Sequence, residues 1–217
     1  ILECTAREGV TPLCDFQNPE DLVDLGDGWL VVSQAPRGGS DGHLLAFRPA
    51  DSTQRRLWPP AAPARAASSA ACPGPPDQGE FAPHGIDLSR DGSSLLVVNH
   101  GGREAVEMFR LAGDDAGPAL RWHDCVLMPD DAMMNDVASL PDGGFVVTQM
   151  SSATVSGMFA LLTGGASGRV HHWRPGGSLA AIPGSEAAAP NGVEASDDGR
   201  VIYFAEWGPG NLVRMGL

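Results

Sequence analysis

Four polar residues that could bind a metal ion or transfer a proton share one spacing from four glycines. Each stands eight positions before the glycine of an Asp-Gly pair, at Glu20, His84, Asn135 and Asn191. Calcium prefers carboxylate and amide oxygens, whereas zinc would require more His or Cys ligands. If the four residues meet, we expect a calcium site with a proton acceptor beside it. The alternative is that they only satisfy strand ends around a wet channel.

The Asp-Gly pairs themselves predict the elements that position these residues. Each pair is a hairpin turn that leads into a β-rich run, such as Leu95-Leu-Val-Val-Asn99 after the second turn. The turn glycines Gly28, Gly92, Gly143 and Gly199 follow each other at intervals of 64, 51 and 56 residues. Repeats of roughly this length with several strands each are typical of the blades of a β-propeller.

The repeat predicts one all-β domain over residues 1–217, with a strand, an Asp-Gly hairpin, a second strand, a loop and a third strand in each unit. We place the units at about 15–56, 80–112, 130–176 and 186–217, with an Ala- and Pro-rich insertion at 57–80 that should form neither a strand nor a helix. In a propeller the first strand of each blade lines the central channel. The four polar residues should therefore converge on one axis.

Two of the six histidines have a position that favours chemistry. His84 belongs to the ring, and His100 follows the second strand of the same unit, so both could lie at the same end of the channel. Neighbouring histidines can hold one proton between them and act as a general base. We interpret His43, His123, His171 and His172 as surface residues on outer strands or loops.

Composition excludes several classes of function. The net charge of −13 disfavours a nucleic-acid partner. The sequence contains no run of 18 apolar residues that would be long enough to span a membrane. The sequence contains no Lys, which rules out Schiff-base chemistry, Ser-Lys dyads and a P-loop. Cys4, Cys14, Cys72 and Cys125 have no CxxC spacing, and both disulfides and buried free thiols remain open. Neither the compartment nor the oligomeric state follows from the sequence.

A block of the second unit points to a known family. Pro83-His-Gly-Ile86, Leu95-Leu-Val-Val-Asn-His100 and Arg103-Glu-Ala-Val-Glu-Met-Phe109 resemble the paraoxonase and arylesterase family, which is related to gluconolactonase and strictosidine-synthase-like six-bladed propellers. The resemblance implies that Glu20, Asn135 and Asn191 ligate a catalytic calcium ion. It further implies that Asp21, Asp136 and the carbonyl of Ile86 ligate a second, structural calcium ion, and that His84 and His100 form a dyad.

The sequence also departs from this family. The four units end at Leu217, whereas the family has six blades and a fifth-blade Asp-Asn pair that contacts the catalytic calcium. We therefore expect an incomplete propeller. Expressed alone, residues 1–217 should aggregate or bind calcium poorly, since exposing two blade faces would cost on the order of 10 kcal/mol.

The function that these observations favour is calcium-dependent hydrolysis of a small lactone or aryl ester. The metal would polarise the carbonyl, and water activated by His84 with support from His100 would attack. One alternative is a non-catalytic propeller that keeps calcium for stability and binds a small ligand or a protein. Another is a gluconolactonase-like enzyme that does not use the histidines.

Overall fold

The computed structural model describes residues 4–60, 72–114 and 116–217, which form four antiparallel sheets and one short helix. The first sheet contains β1 (Pro19–Asp24), β2 (Leu30–Gln34), β3 (His43–Arg48) and β4 (Thr53–Trp58). The second contains β5 (Pro83–Leu88), β6 (Ser94–Asn99), β7 (Ala105–Asp114) and β8 (Gly117–Leu127). The third contains β9 (Ala132–Ser139), β10 (Phe145–Ser152), β11 (Arg169–Trp173) and β12 (Ala180–Ala181). The fourth contains β13 (Pro190–Ala195), β14 (Val201–Glu206) and β15 (Asn211–Gly216).

Each sheet is a propeller blade. Its strands are hydrogen-bonded in the order in which they occur along the chain, and the first strands β1, β5, β9 and β13 contact each other in succession. The predicted all-β propeller with four blades in this chain is therefore confirmed. The first three blades have a fourth, outer strand that the sequence pattern did not predict, and the second blade consequently extends to Leu127 rather than to residue 112.

The turn glycines make the hairpins between the first two strands of each blade. Gly28, Gly92, Gly143 and Gly199 all have a positive φ, of 89°, 69°, 81° and 66°. A residue with a side chain rarely adopts this conformation, which explains why glycine recurs at this position.

The hydrophobic core consists of three clusters among the described residues, one at each junction between successive blades. Strand β6 contributes side chains to two of these clusters, because successive side chains of a strand point to opposite faces of the sheet. Leu95 and Val97 pack against the first blade, whereas Leu96 and Val98 pack against the third. At the outer faces of the arc the apolar residues are exposed: Leu22 on β1 is 61% exposed and Leu212 on β15 is 74% exposed.

Two disulfides cross-link the chain. Cys4 pairs with Cys14 and Cys72 pairs with Cys125, so the structure resolves the alternative that the sequence left open. The second bridge joins Cys72, within the predicted insertion, to β8; residues 61–71 of that insertion lie outside the described residues. The insertion begins after Trp58, the last residue of β4, rather than at residue 57.

The one helix of the described residues, α1 (Val155–Thr163), connects β10 and β11. Thr154 caps its first turn by accepting the N–H of Gly157, and Gly164 ends it in the left-handed conformation. No helix among the described residues is long and apolar enough to cross a membrane.

Candidate active site at the channel end

All four first strands are irregular at the residues predicted to form the ring. The register shifts between Pro19 and Asp21 in β1, and between Pro83 and Ile86 in β5. Corresponding shifts occur around Asn135 in β9 and around Asn191 in β13. A β-bulge twists the strand and re-aims its side chains. In β1 the neighbours Glu20 and Asp21 consequently both reach the second blade, which regular alternation would prevent.

The structure brings His84 and His100 into direct contact, with 3.0 Å between Nδ1 of His84 and Nε2 of His100. Glu20 flanks the pair on one side, with its Oε2 3.1 Å from Nε2 of His84. Glu104 flanks it on the other side, with both carboxylate oxygens 2.9–3.0 Å from Nδ1 of His100. The Oε1 atom of Glu104 also accepts the backbone N–H of Met134, at 2.6 Å. A row of two carboxylates and two imidazoles thus lies between the first and third blades.

The environment of His84 favours its neutral form. Burial lowers the pKa of the His84 imidazole, and the neighbouring His100 lowers it further, while Glu20 acts in the opposite direction. A neutral imidazole can accept a proton, as a general base must.

Two carboxylates accept a backbone hydrogen bond from the blade that follows their own. Oδ2 of Asp21 accepts the N–H of Ile86 at 2.8 Å, and Oδ2 of Asp136 accepts the N–H of Val193 at 2.7 Å. Burial raises the pKa of Asp136 to about 7, and the charge of Asp21 contributes in the same direction. Burial also raises the pKa of Asp21. A bound cation would stabilise the charged form of both carboxyl groups.

The predicted ring residues include a carboxylate and two amides, which are side-chain types that bind calcium. Among the described residues, no group of three or more His, Cys, Asp and Glu side chains is placed to hold a metal ion. Two of the predicted ligands are asparagines. Asn135 is 7% exposed and its side chain makes no hydrogen bond to another described residue, whereas Oδ1 of Asn191 accepts the N–H of Gly192. The Asn135 amide and the Glu20 carboxylate supply oxygen atoms of the kind that calcium binds.

Two buried hydroxyl groups that sequence reasoning missed hold the bulges in place. Oγ of Ser33 accepts the N–H of Asp21 at 3.0 Å and donates to the carbonyl of His84. Oγ1 of Thr148 does the same in the third blade: it accepts the N–H of Asp136 at 3.0 Å and donates to the carbonyl of Asn191 at 2.7 Å.

A signal for these hydroxyl groups was present in the repeat. Ser33 and Thr148 both stand five positions after their turn glycine, in the two units that carry Asp after the ring residue. The other two units have Gly after the ring residue, and Val97 or Phe204 five positions after the turn. Comparing these two positions together would have linked each Asp to its hydroxyl partner. Glu104 had no comparable signal, because its partners lie in two different blades.

Gly85 fills the position that Asp21 and Asp136 occupy in their own blades. A Cβ atom at Gly85 would lie 2.4 Å from Oδ1 of Asp136 and 2.7 Å from the carbonyl oxygen of Asn135. The two inner strands therefore approach so closely that no side chain fits between them, and the carboxylate of the third blade takes that space.

Comparisons with known proteins bear on the fold. No protein-family model and no curated protein sequence matches the chain. Among solved structures, a gluconolactonase from Xanthomonas campestris matches with a TM-score of 0.59 at 16% identity, over 93% of this chain and 58% of that one. A structural-genomics target provisionally named a gluconolactonase matches with a TM-score of 0.56 at 17% identity, over 94% and 64%. The hydrazine synthase of Kuenenia stuttgartiensis matches with a TM-score of 0.55 at 15% identity, over 87% and 49%.

These likenesses establish a β-propeller fold of the kind found in gluconolactonases. The chain spans between 49% and 64% of the length of the three matched structures. Because a hydrazine synthase shares the fold, the fold alone does not identify an activity. The expected structural likeness to gluconolactonase-like propellers is confirmed, and the resemblance to paraoxonases stays a prediction.

Proposed function

We propose that this protein hydrolyses a small lactone or aryl ester with the help of calcium. The observation that carries the proposal is the contact between His84 and His100, with the carboxylate of Glu20 beside His84. The gluconolactonases among the structural neighbours favour a lactone as the substrate.

The ring residues Glu20, Asn135 and Asn191 would hold the catalytic ion. Calcium bound there supplies a Lewis acid for the ester carbonyl. Asp21, Asp136 and the carbonyl of Ile86 would hold a second ion that stabilises the fold. The donors are oxygen atoms in every case, as calcium requires.

The histidine pair would handle the proton of the attacking water. His84 is the base, because its Nε2 atom faces Glu20 and the ring, while its Nδ1 atom is occupied by His100. His100 holds the imidazole of His84 in one orientation. Burial keeps the pKa of His84 below its ordinary value, so that the ring is neutral and able to accept a proton near neutral pH.

The proposal is tested with a panel of lactones and aryl esters, assayed with calcium and with a calcium chelator. We expect hydrolysis that depends on calcium, and a fall in kcat of about 10² to 10⁴-fold in His84→Gln. The matched control is His123→Gln, since His123 is exposed on β8 outside the ring and contacts Arg110. This variant should retain the rate of the unmodified protein.

Two results would change the assignment. If calcium binds but no substrate of the panel is hydrolysed, the chain is better described as a calcium-stabilised propeller that binds a ligand or a protein. If His84→Gln retains full activity, the histidines are not needed for hydrolysis, as in the gluconolactonase-like alternative that the structural neighbours also favour.

The second calcium site is tested separately by thermal unfolding. We expect calcium to raise the Tm of the unmodified protein, by an amount that corresponds to about 2.7 kcal/mol at a hundredfold excess over Kd. Asp136→Ala should abolish the part of this shift that the second ion supplies. An unchanged calcium dependence in this variant would argue against Asp136 as a ligand.

A further inference from the structure

Four side chains stand in a row at the channel end: Glu20, His84, His100 and Glu104. Three contacts join neighbouring members, at 3.1, 3.0 and 2.9 Å. Each contact needs one hydrogen between two electronegative atoms, but two neutral imidazoles carry only one N–H group each. When both rings are neutral, one contact therefore lacks a hydrogen, and its position decides where the free lone pair lies.

The row has three arrangements, one for each contact that can lack the hydrogen, and two of them keep the hydrogen bond between the rings. If Glu104 accepts the Nδ1–H of His100, then Nε2 of His100 accepts the Nδ1–H of His84, and the lone pair remains on Nε2 of His84. If Glu20 accepts the Nε2–H of His84, both hydrogen bonds reverse, and the lone pair lies on Nδ1 of His100 against Glu104. Only the first arrangement leaves a proton acceptor on Nε2 of His84, the atom that faces the candidate site.

The surroundings of the two carboxylates favour the first arrangement. Both oxygens of Glu104 are within hydrogen-bond distance of His100 Nδ1, and 13% of its side chain is exposed, against 30% for Glu20. Glu20 also accepts a hydrogen bond from Asn18 and is more accessible to water. The repulsion between a carboxylate and a lone pair costs more free energy when the carboxylate is buried, because little water screens it.

The backbone fixes Glu104 in this role. Its Oε1 atom accepts the N–H of Met134 in β9, at 2.6 Å, so the carboxylate is held between the second and third blades. The interaction also links Glu104 to the strand that carries Asn135. The carboxylate consequently keeps its orientation toward His100 without a further side chain.

We propose that Glu104 is a positioning residue that sets the direction of hydrogen bonding through His100 and His84, so that Nε2 of His84 is the proton acceptor. Its catalytic consequence rests on the hydrolase function proposed above, whereas the tautomer of each ring does not. Glu104 itself contacts no substrate; it acts through His100.

Glu104→Gln is the decisive variant because it preserves size and removes one acceptor. The amide oxygen can still accept the N–H of Met134, and the amide nitrogen then donates to Nδ1 of His100. This forces Nε2–H on His100 and Nε2–H on His84, which is the reverse arrangement. The matched control is Glu206→Gln. Glu206 likewise accepts one backbone hydrogen bond, from the N–H of Ala188, and one side-chain hydrogen bond, from Asn211, and neither partner is a histidine.

The tautomers are measured by NMR of protein with isotope-labelled histidine, at a pH where both rings are neutral. His84→Gln and His100→Gln assign the signals. We expect hydrogen on Nδ1 of both rings in the unmodified protein and in Glu206→Gln, and on Nε2 of both rings in Glu104→Gln. Hydrogen on Nε2 of His84 in the unmodified protein, or unchanged tautomers in Glu104→Gln, would overturn the proposal.

Kinetics provide the second measurement. In Glu104→Gln we expect kcat to fall on the order of 100-fold with little change in KM or in Tm, because a ring in the wrong tautomer cannot accept the proton. A reversed tautomer with an unchanged kcat would overturn the catalytic consequence. If no variant and no unmodified protein hydrolyses any substrate while the tautomers reverse as expected, the hydrolase function fails and the role of Glu104 stands.

Discussion

The junction between the second and third blades is built differently from the junctions on either side of it. In the two outer junctions an Asp after the ring residue accepts a backbone N–H of the next blade, and a buried hydroxyl donates to the carbonyl of the next ring residue. Asp21 and Ser33 do this from the first blade. Asp136 and Thr148 do it from the third.

We call this pair of Asp and hydroxyl hydrogen bonds the clamp. The middle junction lacks the clamp and has other contacts. Gly85 takes the place of the Asp, and the position of the hydroxyl is an apolar Val97. Asp87 accepts the N–H of Ser139 at 2.7 Å, and Ser139 donates to the carbonyl of Leu88 at 2.7 Å. Glu104 adds its hydrogen bond to Met134 beside the histidine pair.

The difference separates polar contacts that repeat from blade to blade from contacts that do not repeat. The Asp and hydroxyl clamp occurs twice with the same partners, which is expected of a device that fastens one blade to the next. The His100 and Glu104 contacts occur once, at the junction where the clamp is missing. Asp87 and Ser139 already fasten this junction, and we propose that the histidine pair serves catalysis instead.

Adding a side chain at Gly85 should cause the largest loss of stability. In Gly85→Ala the new methyl group would overlap Asp136 and the Asn135 carbonyl, both part of a neighbouring backbone segment that cannot move freely. We expect the free energy of unfolding to fall by about 3 kcal/mol or more, as for overpacked cores. Chemical denaturation of both proteins measures this.

The matched control is Gly216→Ala, because Gly216 also lies in a strand, and a Cβ there meets no atom within 4 Å. We expect this variant to stay within about 0.5 kcal/mol of the unmodified protein. Equal stability of Gly85→Ala and Gly216→Ala would show that the inner strands of the second and third blades do not approach as closely as described.

The Asp136 carboxyl group of the third-blade clamp should make the free energy of unfolding depend on pH in calcium-free buffer. Asp136 has a pKa of about 7 in the folded protein, because burial disfavours its charge, against about 3.9 in an unfolded chain. The carboxyl group of Asp136 therefore binds its proton more tightly in the folded state than in the unfolded chain. The stability that this protonation contributes is complete below pH 4 and is lost as the pH rises toward 7. We expect a loss of about 1 kcal/mol per pH unit between pH 5 and 7.

Asp136→Asn is the control for this slope, since an amide does not ionise. The slope should decrease strongly in this variant, and the remainder should come from Asp21, whose pKa is raised in the same direction. Stability that is constant from pH 5 to 7 in the unmodified protein, or a slope that Asp136→Asn leaves unchanged, would contradict this assignment.

The sequence repeat predicts the inner half of each blade well. A positive φ at the turn restricts that position to glycine, and counting back from the glycine locates Glu20, His84, Asn135 and Asn191 on the first strands. It also places His100 close enough to His84 for contact, which the structure shows. Local conformational rules are sufficient for these features because turn and strand are adjacent in the chain.

The outer strands and the polar partners were not predictable in this way. Strand β4, Thr-Gln-Arg-Arg-Leu-Trp, has no turn glycine before it and no regular alternation, and pairing with β3 determines its conformation. Glu104 lies in a loop whose sequence does not distinguish it from any exposed acid. Its partners, His100 and Met134, are brought together only by the packing of two blades.

The smallest effect we predict comes from the buried hydroxyl groups, and it compares the two outer junctions directly. Thr148→Val keeps the volume but leaves the Asp136 N–H and the Asn191 carbonyl without their partner, and Ser33→Ala does the same to the Asp21 N–H and the His84 carbonyl. Each variant should lose about 1–2 kcal/mol of unfolding free energy.

Since Ser33 and Thr148 belong to different junctions and share no partner, their effects should add to within about 0.5 kcal/mol in the double variant, measured by chemical denaturation. Similar single losses would establish that the two junctions are equivalent clamps. A loss at Thr148 with none at Ser33 would mean that the first blade is fastened in another way, so that the repeated contacts could no longer be assigned one structural role.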